Sequence, residues 1–232
     1  MRFADDAFGR LGMTEGASAD LRAALAAAHG LVLVAGPDRS GRSATLTILD
    51  RESSGAVVAG EIADRDSAAA AVRAASSRLV LAPIQAGHAV GAIARLREFR
   101  IDPLTIAATL RLAIAQLRAR RLCPSCREPV QADGNVSAQL GFDPGTFVYV
   151  PRGCASCEGK GYRGRIGLFE AVPIESAIRR LIERDGDEAV IASHAFRDRP
   201  NLGGAARLLV RQGMIGAEEA VFLSRAAVRE PV

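Results

Sequence analysis

Short blocks of uninterrupted apolar residues alternate along this chain with stretches of helical periodicity. Leu31-Val32-Leu33-Val34-Ala35 has no polar position and stops at Gly36-Pro37, which predicts a parallel strand buried on both faces. A glycine-rich loop follows, and residues 43–51 carry the pattern of a short helix. Ser53-Ser54-Gly55 reads as a turn, and Ala56-Val57-Val58-Ala59 as a second buried strand. That order predicts a βαβ unit and hence a parallel sheet. Upstream, residues 19–28 read as a helix with Ser18 as its cap. Downstream, residues 66–76 form an alanine-rich helix pattern and residues 78–84 a third strand. Residues 89–100 and 103–121 read as two further helices, the second long and amphipathic.

At Leu122 the composition shifts. Up to Gly167 the chain is rich in Cys, Pro, Gly and polar residues, with Phe147-Val148-Tyr149-Val150 as a short strand. From Pro173 onward helical patterns return in three or four segments. The layout is an α/β core over 1–121, a cysteine module over 122–167 and a helical C-terminal region over 168–232.

The loop after the first strand carries recognisable chemistry. Gly36-Pro37-Asp38-Arg39-Ser40-Gly41-Arg42-Ser43 has the frame G-x-x-x-x-G-K-[ST], with arginine in place of lysine. In such a loop the glycines let backbone N–H groups converge on phosphate at a helix N-terminus, while the Ser/Thr hydroxyl reaches Mg²⁺. Gly36, Ser40, Gly41, Arg42, Ser43 and Ala44 are therefore the candidate contacts for ATP and Mg²⁺. Arg42 keeps the charge but replaces a compact ammonium with a planar fork. Asp38 adds a carboxylate that repels phosphate unless Arg39 neutralises it. The plainer reading is an ordinary strand-to-helix turn.

Cys123-Pro124-Ser125-Cys126 and Cys154-Ala155-Ser156-Cys157 are two Cys-x-x-Cys knuckles. Together they offer four thiolates, the donor set of a closed structural Zn²⁺ site. Two disulfides, or a redox Cys-x-x-Cys pair, are the alternatives, and both fit the use of all four cysteines less well.

Joined together, these pieces resemble the type II secretion and type IV pilus assembly ATPases. The likeness is strongest in Arg121-Leu122-Cys123-Pro124-Ser125-Cys126 and in Gly153-Cys154 through Gly161-Tyr162-Arg163-Gly164-Arg165-Ile166-Gly167, with Phe169-Glu170, Arg211-Gln212-Gly213 and Glu218-Glu219-Ala220 further on. Upstream, Leu11-Gly12-Met13, Gly60-Glu61-Ile62-Ala63-Asp64 and Asp102-Pro103 are similar to other family stretches. The resemblance implies a reduced RecA-like P-loop NTPase fold with a parallel sheet, a tetracysteine zinc module and a helical tail. It also implies that Glu61 lies near Mg²⁺ and the reactive water, as the candidate catalytic residue. Asp64 reads more simply as a helix cap.

The departures from the family pattern matter as much. Only residues 44–59 join the phosphate loop to Gly60-Glu61, so the family's acidic Asp box and arm are missing. Gln85 stands where the family has a histidine, and His88 is out of register, reading as a helix-start residue. The large N-terminal domains of the family have no counterpart in these residues. Phosphoryl transfer rests on several groups acting together, and an arginine finger alone is worth about 10³–10⁵ in rate. The expectation is a pseudo-ATPase subunit acting by association with secretion or pilus ATPase subunits, and with inner-membrane platform proteins. A slow ATPase is the first alternative.

Charge and composition refine this picture. The 232 residues are 49% hydrophobic, and the net charge of +4 comes from scattered arginines, Lys160 being the only lysine. The tightest basic cluster is Arg118, Arg120 and Arg121, without an aromatic platform beside it. A zinc-ribbon nucleic-acid binder is thus the second alternative, and no nucleic acid is expected as a partner. The N-terminus lacks a signal-peptide pattern and no apolar run reaches a membrane span. A cytoplasmic protein, peripheral at most to the inner membrane, is expected.

Overall fold

A computed structural model describes residues 3–53 and 55–228. Met1, Arg2, Ser54 of the expected turn and residues 229–232 of the expected helical C-terminal region lie outside the described residues. The chain opens with α1 (Ala7–Leu11) and α2 (Glu15–Leu25). Thr14 rather than Ser18 caps α2, its Oγ1 accepting from Ala17 N at 3.3 Å. Ser18 sits buried within the helix and donates to Asp6 Oδ2.

The α/β core follows as β1 (Gly30–Ala35), α3 (Arg42–Glu52), β2 (Val57–Val58), α4 (Arg65–Ala75), β3 (Leu79–Ile84), α5 (Ala89–Glu98), α6 (Pro103–Thr109) and β4 (Leu110–Leu122). The cysteine region contains β5 (Arg127–Gln131), α7 (Gly134–Leu140) and β6 (Phe147–Pro151). β7 (Tyr162–Pro173) leads into α8 (Ser176–Glu183), α9 (Glu188–Ala195), α10 (Leu202–Arg211) and α11 (Ala217–Val228).

The main sheet has the order β2-β3-β1-β4-β7, parallel except for β7, which runs antiparallel to β4. Helices cover both faces. One layer joins α4, α5, α6 and the tail helices to Leu31, Leu33, Ala113 and Ala115; the other packs α2 and α3 on Val32, Val34, Leu112 and Ile114. Every residue of β1 is buried, as expected for a central parallel strand. β5 and β6 pair in a separate two-stranded ribbon.

Two expectations are corrected. The long helix over 103–121 is a seven-residue helix followed by a thirteen-residue strand. Pro103 opens α6 after Asp102 caps it. From Leu110 the chain instead pairs with β1 on one side and β7 on the other. Leu, Ala and Arg favour helix locally, but burial of both strand faces outweighs an intrinsic preference of tenths of a kcal/mol per residue. The second correction concerns β2. Only Val57 and Val58 pair, on the sheet edge, and their side chains are exposed rather than buried.

Candidate functional site

The glycine-rich loop of residues 36–43 joins the carboxyl end of β1 to the N-terminus of α3, where open parallel sheets place their ligands. Its shape is imposed by its glycines. Gly36 has φ 157°, and a Cβ there would collide with Ser40 Oγ and Gln116 O. Gly41 has φ 95°, and a Cβ there would press on Gln116 Nε2 and on Arg118 Cδ. Gly41 is also the N-cap of α3 and offers no side-chain acceptor, so the first N–H groups of α3 keep no internal partner.

Gln116, buried on β4, braces this loop from below. Its Nε2 donates to Ser40 O at 3.0 Å, and its Oε1 accepts from Thr45 Oγ1 at 2.6 Å. The amide thereby ties the loop to the first turn of α3. Gln116→Leu is expected to cost about 1–3 kcal/mol, because Thr45 Oγ1 and Ser40 O lose their partner in a buried place. Chemical denaturation of wild-type and variant checks this; equal midpoints would mean that the brace carries no stability.

The charged groups converge on Arg42. Its Nη1 lies 2.6 Å from Glu61 Oε1 and its Nη2 3.5 Å from Asp38 Oδ1, with the side chain 11% exposed. Ile62 N donates to Pro83 O and pairs with Ile84, which sets Glu61 beside the carboxyl end of β3. Asp38, Arg39, Ser40, Gly41, Arg42, Ser43 and Arg118 line an open cleft of ≈ 520 Å³. The structure thus brings Gly36, Ser40, Gly41, Arg42, Ser43 and Glu61 together. Ala44 is exposed in the first turn of α3. Gln85 is exposed just past β3, and His88 caps α5, its Nδ1 accepting from Gly91 N while Nε2 faces Glu188. Asp64 caps α4 through Ser67.

Gln116 is absent from the residues read off the sequence and Arg118 enters there only as part of a basic cluster, because that segment reads as helix. The alternation Leu112, Ile114, Gln116, Arg118 on one face was the available signal.

The four cysteines meet at the far end of β4. Cys123 N donates to Gly161 O, which ties the first knuckle to the stretch after the second. All four Sγ atoms lie within 4.8 Å of one another, and three separations are 3.8–3.9 Å. Bonds of about 2.3 Å to a tetrahedral metal place sulfurs about 3.8 Å apart. An S–S bond would be about 2.05 Å, and all four are free thiols. Burial raises the pKa of the Cys157 thiol, but N–H groups of Cys154 and Gly161 outweigh it and bring the thiol down to about 6. Such N–H donors orient and stabilise a ligating thiolate.

Behind the sheet, Glu170 on β7 is buried. Its Oε1 accepts from Ala89 N at 2.6 Å and its Oε2 from Leu202 N at 2.8 Å, so one carboxylate caps the first turns of both α5 and α10.

Fold and site define the class: an α/β protein with a parallel-rich sheet, a glycine-rich loop at the carboxyl end of β1 and a cluster of four thiols. Residues 47–222 match the family described as Type II/IV secretion system protein, and the chain belongs to that family. The matched segment begins in α3, after the loop itself. The chain is 35% identical over 178 residues to the Type II secretion system protein E of Pseudomonas aeruginosa, covering 75% of this chain and 36% of that protein. It is 30% identical over 265 aligned positions to the Type II secretion system ATPase E of Vibrio cholerae, covering 93% of this chain and 52% of that one. The chain therefore spans between about a third and a half of these relatives. Among solved structures it is similar to the Legionella pneumophila ATPase DotB, with a TM-score of 0.61 at 15% identity, covering 89% of this chain and 63% of that one. The pilus retraction motor PilT with bound ADP gives a TM-score of 0.61 at 16% identity, covering 86% and 62%. These likenesses give the fold. Among the described residues no helix is long and apolar enough to cross a membrane.

Proposed function

We propose that this chain is a secretion or pilus ATPase-type subunit whose nucleotide site is degenerate, and that it acts by association with such a machine rather than by hydrolysing ATP. The observation that carries this reading is the state of Arg42. The cation that stands where a lysine would reach the β/γ-phosphates is held by Glu61 and Asp38. A phosphate would have to displace two carboxylates to reach it, and Glu61 is itself occupied as a ligand for guanidinium. The short connection from α3 to β2 supports the same reading, since it leaves no acidic strand to position a water. The Vibrio relative's aligned stretch has more positions than this chain has residues, consistent with lost segments.

Cys123, Cys126, Cys154 and Cys157 would hold Zn²⁺ as a structural ion with a filled shell, fixing the end of β4 against Gly161. Their near-tetrahedral spacing supports that assignment. Should ATP bind, Gly36, Ser40, Gly41, Arg42, Ser43 and Ala44 would hold it with Mg²⁺, through backbone N–H groups at the start of α3. Partners on this reading are ATPase subunits of the same family and the inner-membrane platform, reached from the cytoplasm. Nucleic acid is a poor fit, because Arg120 is engaged by Glu219 through both backbone and guanidinium.

Titration of zinc-loaded protein with Mg-ATP by calorimetry tests the proposal, with wild-type beside Arg42→Lys. The expected result is weak or absent heat for wild-type, and affinity at least about tenfold higher for Arg42→Lys, the return of one charge-assisted phosphate contact. Tight wild-type binding unaffected by the substitution would contradict it. The second reading, a slow ATPase, rests on Glu61 standing at the loop; it predicts turnover that falls with Glu61→Gln.

A further inference from the structure

We infer that the outer edge of β2 is a docking edge for a second copy of this chain, which pairs with it strand to strand across a two-fold axis. The inference does not depend on the state of the nucleotide site.

The edge is bare in backbone and in side chains. β2 ends the sheet order, so its outward row of backbone groups meets no strand among the described residues. Ala59 N donates inward to Leu81 O, so the preceding residue, Val58, turns its N–H and C=O away from β3. Val57 and Val58 are 39% and 43% exposed, and consecutive strand residues point to opposite faces. Neither helical layer therefore covers this strand. Within the main sheet these two are the exposed large apolar side chains among the described residues. Residues 53–56 join α3 to β2, too few to lay a strand of their own alongside it.

Edges of this kind are ordinarily guarded by charge, proline or a bulge. Ala56-Val57-Val58-Ala59-Gly60 contains no charged residue and no proline. Glu61, the next charge along the chain, is drawn away by Arg42.

The occupant follows from the pattern of the edge itself. An antiparallel copy set with Val58 opposite its counterpart lets the two residues exchange both N–H···O bonds. That register puts Val57 against Ala59 of the second copy, a large side chain facing a small one, on both sides of the axis. It also sets Glu61 opposite Gly55, so no like charges meet. Closure follows as well. The other edge strand of the main sheet, β7, is buried over residues 166–172. Pairing through β2 thus uses the open edge of that sheet and stops at two copies. An edge this short buries less than the roughly 1,200 Å² of a stable interface, so the dimer is weak, with a dissociation constant of about 10–100 µM.

Sedimentation velocity on the full, zinc-loaded chain, from about 1 µM to about 200 µM, is the test. The expected result is a reversible monomer–dimer equilibrium. Val58→Pro removes an outward N–H without touching a bond to β3, and Val57→Lys sets a charge against Ala59 of the second copy. Each should weaken dimerisation at least about tenfold, with the melting temperature of dilute samples unchanged. Phe222→Ser, at an exposed position on α11, should leave the equilibrium as it was. In hydrogen exchange of the wild-type chain, the Val58 amide should gain protection as concentration rises, a readout that stands even where Val58→Pro fails to fold. A monomer throughout the range overturns the inference. A dimer that Val57→Lys retains, or that Phe222→Ser dissolves, places the contact elsewhere and overturns it too. Growth past two copies would mean an edge that does not close, and would equally end it.

Discussion

Replacing Cys123 with serine is expected to remove the proposed zinc and to lower the melting temperature by about 10–20 °C. Little besides the proposed ion holds the two knuckles together. Residues between them contribute a handful of buried apolar side chains, Leu140, Phe142 and Val148 among them, too few to order the ribbon of β5 and β6 independently. Leu122 N donates to Met214 O and Cys123 N to Gly161 O, so a loosened module also frees the start of β7 and the approach to α11. Structural zinc contributes about 10–16 kcal/mol of apparent binding free energy. Losing about a third of that, at about 2–4 °C per kcal/mol for a chain of this size, gives the shift. Zinc content per chain and thermal unfolding, measured on the same samples, check it. A serine variant with full metal content and an unchanged transition would remove the four-thiol site from the account.

Glu170→Ala is expected to destabilise the protein by about 3–5 kcal/mol. The carboxylate accepts from the first turns of two helices, at N–H groups that their own caps His88 and Asn201 do not reach. Truncation leaves two buried N–H groups unpaired, at about 1–3 kcal/mol each, and adds a cavity. Glu170→Gln keeps the volume but turns an amide NH₂ toward one of the two donors, so it should lose about half as much. Burial raises the Glu170 pKa, opposed by the N–H groups of Ala89 and Leu202 and by His88. A folded pKa above the unfolded value means stability fully present below about pH 4.3, and lost as pH rises through the folded value. The stability advantage of wild-type over Glu170→Gln should therefore be larger at pH 4 than at pH 8. Denaturant unfolding at the two pH values checks both statements, and a gap that widens with rising pH would reverse the sign.

The legible parts of this molecule were those in which local chemistry and long-range packing agree. β1 could be read because five apolar residues ending in Gly-Pro suit only a buried central strand. The knuckles could be read because thiol pairs at that spacing have few other uses. Segment 110–122 was misread because Leu, Ala and Arg satisfy a helix as well as a strand, and only pairing with β1 and β7, the latter more than forty residues away, decides the matter. That misreading hid Gln116 and Arg118 together, since both reach the loop only from a strand. Val57 and Val58 reversed the expected burial for a related reason: apolar composition reports strand preference, while edge position depends on which strand is absent beside it. The Arg42–Glu61 contact lay beyond the sequence altogether. Nineteen residues separate the two, and the substitution of arginine for lysine foretold changed geometry without naming the carboxylates that would capture it.

The proposed loss of hydrolysis turns on the Arg42 guanidinium, held by Asp38 of its own loop and by Glu61 beyond β2. The most direct measurement is steady-state phosphate release from ATP by zinc-loaded protein, with Glu61→Gln as control. The account predicts no release that the substitution diminishes. Sustained turnover in the wild-type protein that disappears with Glu61→Gln would contradict it.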